Sequence, residues 1–537
     1  MGNAIAKKVL TGMLLSFFFM QASFARQEVV NLVPEPPATA ANYWCTWYAQ
    51  NYWQQRGGEI TDIKQINNPN AREELSYDHL YNEKEGWAST YLPRGRSDFF
   101  FLIDHGWQTK KKEERTVPGS TAFFSMQIDP RDFEEYADTE PQEALRLFNE
   151  EIIAQGWRGL GLWVRGTVTE EAARTFVERS KHAGIEYWKI DGGGTKDFFS
   201  YKIKQETYPA LQLEYINGAG PFNKYWDDPD RTSYPSVYTD KGKLESTLRI
   251  LQNTDVFRTY DVAPILFSTV TMQRINDILK ETQKTEKYTA ILNIQDDPQV
   301  AAGMGCLIAS KRHPNYMERT YKGEDFHHQI RGKRLVQKRM NEIERFGRWQ
   351  RIAPAFAAGV GSFVASDHDL VDSYPHTEKD TWFRSCYGKM VYQGAPAIMA
   401  RNMPLPKVEI KGDAPYVMAS TYPNGSVCVA TEGRVKPEDQ WYEPRAKVTI
   451  QVKDATQPIG IFGHYDELVI EFAEAPKALK KIWAQDLLAS QATDISKRVA
   501  IKGNTLILPG KLIDEIGTSA KSKGDISVPG LVLRLER

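Results

Sequence analysis

From Tyr43 onward, short apolar and aromatic runs alternate with stretches whose apolar residues recur at helical spacing. The runs are Tyr43–Ala49 (YWCTWYA), Asp98–Asp104 (DFFFLID), Gly159–Arg165 (GLGLWVR), Glu186–Asp191 (EYWKID), Leu211–Asn217 (LQLEYIN), Val256–Val262 (VFRTYDV) and Thr289–Ile294 (TAILNI). An eighth, less regular run lies around Ala355–Ala365. Helical patterns cover Glu143–Gln155, Glu170–Ala183, Lys243–Thr254 and Met272–Gln283. This alternation is the mark of βα units and a parallel sheet. Seven or eight such units predict an α/β fold, a (β/α)8 TIM barrel over residues 43–403. A doubly wound open sheet would announce a Gly-rich phosphate turn early in the chain, and none is present.

Past Pro404–Pro406 the pattern changes. Val417–Ala419, Val427–Ala430, Lys447–Val452, Leu468–Phe472, Thr505–Leu508 and Leu531–Leu535 are short runs broken by Gly, Pro and Asn. They predict a C-terminal antiparallel β-sandwich over residues 404–537 that carries no evident chemistry. Before the barrel, Pro34, Pro36 and Pro37 keep residues 26–42 extended.

Residues 1–25 read as a secretory signal. Lys7 and Lys8 precede the apolar run Leu10–Met20, and Ser23 and Ala25 are small residues before a cleavage point at Arg26. The run is shorter than the roughly 20 residues that a bilayer needs. A periplasmic or secreted protein with no membrane span follows. The formal net charge is −1 and Lys and Arg are dispersed, which excludes an electrostatic footprint for nucleic acid. The run Lys110–Arg115 mixes both signs and reads as a solvated loop or face. Cys45, Cys306, Cys386 and Cys428 form no C-x-x-C pair, which argues against a thiolate zinc site; four separate buried thiols are expected, with disulfides the alternative in an oxidising compartment.

A barrel builds its site at the C-terminal ends of its strands. Several runs end in polar residues there: Asp104, Arg165, Asp191, Asn217, Asp261, and Asp296 just past the seventh. Acids ending apolar strands are costly to bury unless they are paired or used. Asp191 is followed by Gly192–Gly194, an open turn that allows close approach of a substrate. Lys189 lies two residues earlier, on the same face of a strand, where it could keep Asp191 ionised. Asp261 ends a run two strands later. Two carboxylates flanking a bond are the minimum apparatus for glycoside hydrolysis. For each Asp the competing reading is a structural one, a helix cap for Asp191 and a turn before Pro264 for Asp261.

Four strand ends resemble those of the α-galactosidase-type glycoside hydrolases, families 27 and 36. FLIDHGW (Phe101–Trp107) is similar to their second-strand Asp-Asp-Gly-Trp motif, and YWKIDGGG (Tyr187–Gly194) to their fourth-strand K-x-D. FRTYDV (Phe257–Val262) is similar to the sixth-strand segment in which an Arg precedes the acid/base Asp. LNIQDDP (Leu292–Pro298) is similar to a seventh-strand Asn-Asp-Pro-Asp region. The resemblance spans Tyr43 to Met399. It implies a retaining exo-α-glycosidase with Asp191 as nucleophile and Asp261 as acid/base. Asp104 and Lys189 would hold the glycone, and Trp107, Arg165, Asn217 and Arg258 would line the site. The substrate would be an oligosaccharide or glycoside. His105 stands where the family pattern has a second acid, and the large N-terminal β domain of many family 36 enzymes is absent.

Two other functions stay open. A carbohydrate-binding protein on a degenerate barrel would bind sugar without turnover. A metal-dependent barrel hydrolase would use His313, His327 or His328, although no H-E-x-x-H spacing occurs. No cofactor is expected, and a carboxylate-held structural calcium stays open.

Overall fold

The computed structural model describes residues 30–54, 72, 74–108, 126–167, 169–191, 197–215, 241–259, 268–312, 320–321, 324–325, 338–375, 390–436, 440–476 and 479–537. Eight parallel strands close into a barrel in chain order. They are β1 (Tyr43–Cys45), β2 (Phe100–Ile103), β3 (Gly159–Arg165), β4 (Tyr187–Asp191), β5 (Gln212–Tyr215), β6 (Val256–Arg258), β7 (Ile291–Gln295) and β8 (Leu307–Ser310). Pairing of Tyr43 with Ala309 and Trp44 with Ser310 completes the ring.

The runs are almost continuously apolar because both faces of each strand are buried. Tyr43, Phe100, Leu102, Tyr187, Val256 and Leu307 point inward and pack together. Their neighbours Trp44, Phe101, Leu162, Trp188, Phe257 and Ile294 face the surrounding helices. Ala38, Ala40 and Ala41 of the leader join the inner cluster and plug the N-terminal end of the barrel. The mouth at the other end is where the polar strand ends collect.

The helix Glu170–Ala183 has the expected bounds. Thr169 caps it by accepting from Ala172 N at 3.3 Å, and Glu170 and Glu171 sit in its first turn. The other three run Pro141–Ala154, Lys241–Leu251 and Ser268–Thr282, within a few residues of their patterns.

The eighth strand corrects the sequence reading. It is Leu307–Ser310, not a segment around Ala355–Ala365. Phe363–Ala365 is a strand, but it pairs with Ile398–Arg401 in a sheet of the second domain. That sheet therefore recruits strands before residue 404. The connecting helix Pro298–Met304 is so short that it and β8 read together as one apolar stretch, VAAGMGCLIAS.

The C-terminal region is built from an eight-stranded and a five-stranded sheet, mostly antiparallel. Val417, Val429, Ile461 and Leu533 from the first pack with Val448, Ile450, Leu468 and Leu506 from the second, which makes a sandwich. Cys45, Cys306 and Cys428 are free and buried, as expected, and Cys386 lies outside the described residues. The signal segment and Lys110–Arg115 also lie outside them. Among the described residues no helix is long and apolar enough to cross a membrane.

Candidate active site

The mouth is organised around a buried ion pair. Lys189, inward on β4, binds Asp104, the first residue past β2, and both are almost fully buried. Asp104 also accepts from the Cys45 thiol at 3.1 Å and from His105 N at 2.8 Å, and its own N–H donates to Thr46 Oγ1 at 2.9 Å. Burial opposes the Asp104 charge, but Lys189 and these donors outweigh it and hold its pKa down to about 2. Burial likewise opposes the Lys189 charge, and Asp104 outweighs it and holds the ammonium above its ordinary value. Burial, then the Asp104 charge, pushes Cys45 up to about 12, so it stays a thiol and donates. The expected partnership of Lys189 with Asp191 is thus replaced by one with Asp104, whose carboxylate the ammonium reaches across the mouth.

Asp191 ends β4 and is half-buried. Its Oδ2 accepts from the Trp163 indole N–H at 3.3 Å. The neighbouring strand β3 supplies Trp163 and Arg165, and Arg165 stands in register with Asp191. Arg165 is exposed at the rim. Trp107, expected to touch substrate, is fully buried; its indole N–H donates to Trp163 O at 3.0 Å. It therefore steadies the residue that steadies Asp191. His105 stacks on Trp163 with centroids 4.1 Å apart and planes 6° apart. Burial first, then the Arg72 charge, push its pKa down to about 3, so it is a neutral ring at ordinary pH.

Deeper in the barrel, Arg258 of β6 forms an ion pair with Glu214 of β5 at 2.7 Å and also donates to the Tyr43 hydroxyl. Glu214 further accepts from Tyr43 at 3.0 Å, Tyr187 at 2.8 Å and the Asn293 amide. Arg258 thus lies below the mouth, fixed from beneath. Lys311, the first residue past β8, is fully buried, and its Nζ donates to Gln295 Oε1 at 3.4 Å. Asp296, the first residue past β7, has φ 52°. Its Oδ1 accepts from Lys311 N at 2.8 Å and Arg312 N at 3.3 Å. It is a strut for the β8 end, and burial raises its pKa.

The structure brings Asp104, Lys189, Asp191, Arg165, Trp107 and Arg258 to one end or the interior of one barrel. Asp261, Asn217, Gly192–Gly194, His313, His327 and His328 lie outside the described residues. Among the described residues no three His, Cys, Asp or Glu side chains group to hold a metal. The sequence reading missed Glu214, Trp163 and Lys311. An acid in the middle of the apolar run LQLEYIN was a signal for Glu214, and Trp163 stands two residues before Arg165 on the same face. Lys311 went unseen because β8 was sought elsewhere. No protein-family model matches the chain, and no curated protein matches it.

Proposed function

We propose that this chain is a retaining exo-α-glycosidase, α-galactosidase-like, exported from the cytoplasm, that hydrolyses a terminal α-linked sugar by double displacement. The observation that carries the reading is Asp191: a half-buried carboxylate ending β4, held by the Trp163 indole N–H at 3.3 Å, beside the buried Asp104–Lys189 pair. A nucleophile needs a fixed carboxylate with one face open. A glycone needs fixed donors and acceptors, which an ion pair inside a barrel mouth supplies. The four strand-end motifs supply the expectation of an α-linkage and of Asp261, three residues past Arg258, as the partner acid.

In this mechanism Asp261 gives its proton to the glycosidic oxygen as the Asp191 carboxylate attacks the anomeric carbon. The bond to the leaving group breaks and a glycosyl ester on Asp191 forms. Asp261, now ionised, takes a proton from water, whose oxygen attacks the same carbon and frees Asp191. Retention requires the two carboxyl groups to stand roughly 5–5.5 Å apart.

A panel of aryl α-glycosides tests the reading. Turnover by the wild type is expected, with loss of about three orders of magnitude or more in Asp191→Asn and an unchanged fold. Asp191→Gly with added azide should yield the β-glycosyl azide, since azide fills the place of the nucleophile. Near-normal activity in Asp191→Asn overturns the assignment. Sugar binding without any turnover by the wild type favours the non-catalytic carbohydrate-binding reading.

A further inference from the structure

We infer that His464 is a proton-dependent clasp between the sandwich and the barrel: as an imidazolium it bridges two carboxylates of the sandwich, and one of these carries the hold on to the barrel. The inference concerns the seam between the domains and does not rest on the glycosidase reading.

His464 lies in the turn between strands Ile459–Phe462 and Glu467–Phe472. Its Nδ1 stands 2.8 Å from Asp514 Oδ1, on the helix Gly510–Gly517. Its Nε2 stands 3.3 Å from Glu443 Oε2, just past strand Gln440–Tyr442. A neutral imidazole has one N–H, and only the imidazolium donates from both nitrogens. With a carboxylate at each nitrogen, a neutral ring would turn a lone pair on one of them. Arg445 Nη2 also comes within 3.1 Å of Nδ1, but it is bound to Asp514 Oδ2 at 2.8 Å, so Asp514 is shared by two cations. Glu432 lines the same small cavity as His464, Glu443 and Arg339, and adds a further acid from strand Val427–Glu432.

Glu443 is the link to the barrel. Its Oε1 accepts from Arg339, at the head of the helix Met340–Ile352. Arg339 Nε donates in turn to Glu342 Oε1 at 3.1 Å, and Glu342 Oε2 accepts from Arg312 Nη1 at 2.6 Å. Arg312 Nη2 donates to Asp296 O at 2.6 Å, just past β7. An unbroken chain of charged side chains therefore runs from a turn of the sandwich to the mouth of the barrel. Burial opposes the His464 charge, but Asp514 and Glu443 outweigh it and hold its pKa above the ordinary value. Burial likewise opposes the Glu443 charge, and His464 and Arg339 outweigh it and hold its pKa down to about 2. Because the His464 pKa is raised in the folded chain, the stability it contributes is complete below the ordinary histidine value. That stability is lost as pH rises through the raised one.

The test compares melting temperatures of the full chain and of His464→Gln from about pH 6 to about pH 9. Their difference cancels the other titrating groups. The wild type should exceed the variant most at the acid end, and the gap should shrink by about half or more at the alkaline end. A gap that is constant, or that widens with pH, overturns the inference. Glu443→Gln placed in both chains tests the reach to the barrel. The pH-dependent part of the gap should then shrink, since the hold ends at Asp514 within the sandwich. An unchanged gap would confine the bridge to the sandwich and overturn the clasp. If His464→Gln does not fold, nuclear magnetic resonance of the chain with isotope-labelled histidine decides. One ring should titrate above the ordinary histidine value, and Asp514→Asn should lower that midpoint. A set of rings that all titrate at or below the ordinary value, or a raised midpoint that Asp514→Asn leaves in place, overturns the inference.

Discussion

Asp104 and Lys189 each carry a charge that burial opposes, and each makes the other's charge tenable. Replacing Lys189 with Met leaves Asp104 as a buried carboxylate whose hydrogen-bond donors among the described residues are the Cys45 thiol and the His105 N–H. The expected cost is about 3–5 kcal/mol, read from urea denaturation; a loss well under this range would mean that water already reaches the pair. The Asp104 pKa is depressed to about 2, so the stability it contributes is present above the ordinary carboxylate range and lost as pH falls toward that value. Lys311 has the opposite sense. Its pKa is lowered to about 7, so above that pH the unfolded chain binds the extra proton until the ordinary lysine value is reached. Stability from this group therefore rises with pH across that window. Lys311→Met should raise the melting temperature more at pH 7 than at pH 10, and an equal change at both would contradict the burial of its charge.

One short element ties the barrel to the sandwich. The helix Pro298–Met304, between β7 and β8, is buried along its whole length. Its last carbonyls have no partners within the helix and are met from the second domain. Tyr422 donates to Ala302 O at 2.6 Å, Ser420 to Gly303 O at 2.6 Å and Arg401 to Met304 O at 2.8 Å. Gly305 ends the helix with φ 63°, close against the Phe356 ring. Gly303 is the tight point, since a Cβ there would lie 2.7 Å from Met418 Cβ and 3.1 Å from Ala430 Cβ. Gly303→Val should destabilise the protein by about 1–3 kcal/mol through overpacking. If the barrel mouth binds a sugar as proposed, the same variant should weaken that binding, because the helix leads directly into β8. Thermal melting and titration check the two effects, and wild-type values for both would show that the sheets separate freely at this point.

Across the whole molecule the barrel and the sandwich share one apolar core. Met399, Met418, Tyr422, Ala430 and Phe462 of the second domain lie in the same cluster as Ile294, Met304, Phe346 and Trp349 of the first. A buried ion pair reinforces the junction, with Arg345 bound to Asp486 at 2.9 and 3.0 Å. The leader adds a third tie, running from Gln485, which accepts from Leu32 N at 2.6 Å, to Asp98, which accepts from Ala38 N at 2.8 Å. Domains joined through a common core lack the polar, separable interface that lets neighbours unfold apart. Calorimetry should show one cooperative transition for the whole chain, and two resolved transitions would contradict the shared core. Arg345→Met should lower that single transition without splitting it.

Alternating apolar runs and helical periodicity were enough to find seven of the barrel strands and the order of the two domains, because a parallel strand buried on both faces has few other ways to be written. They also placed Asp104, Lys189, Asp191 and Arg258 at strand ends or on inner faces, since a period of two sets direction locally. Partnership was not local. That Lys189 binds Asp104 rather than Asp191 depends on which strands face each other across the mouth, 85 residues apart in sequence. That Trp107 is a hidden prop follows from its burial against Trp163, which no spacing records. β8 escaped because a helix of seven residues gives too little periodicity to part from the strand that follows it. With β8 went Lys311, whose buried ammonium comes among Asp104, Lys189 and Arg258 only because strands far apart in sequence meet inside the barrel. Which charges share that interior is a property of the folded surroundings alone.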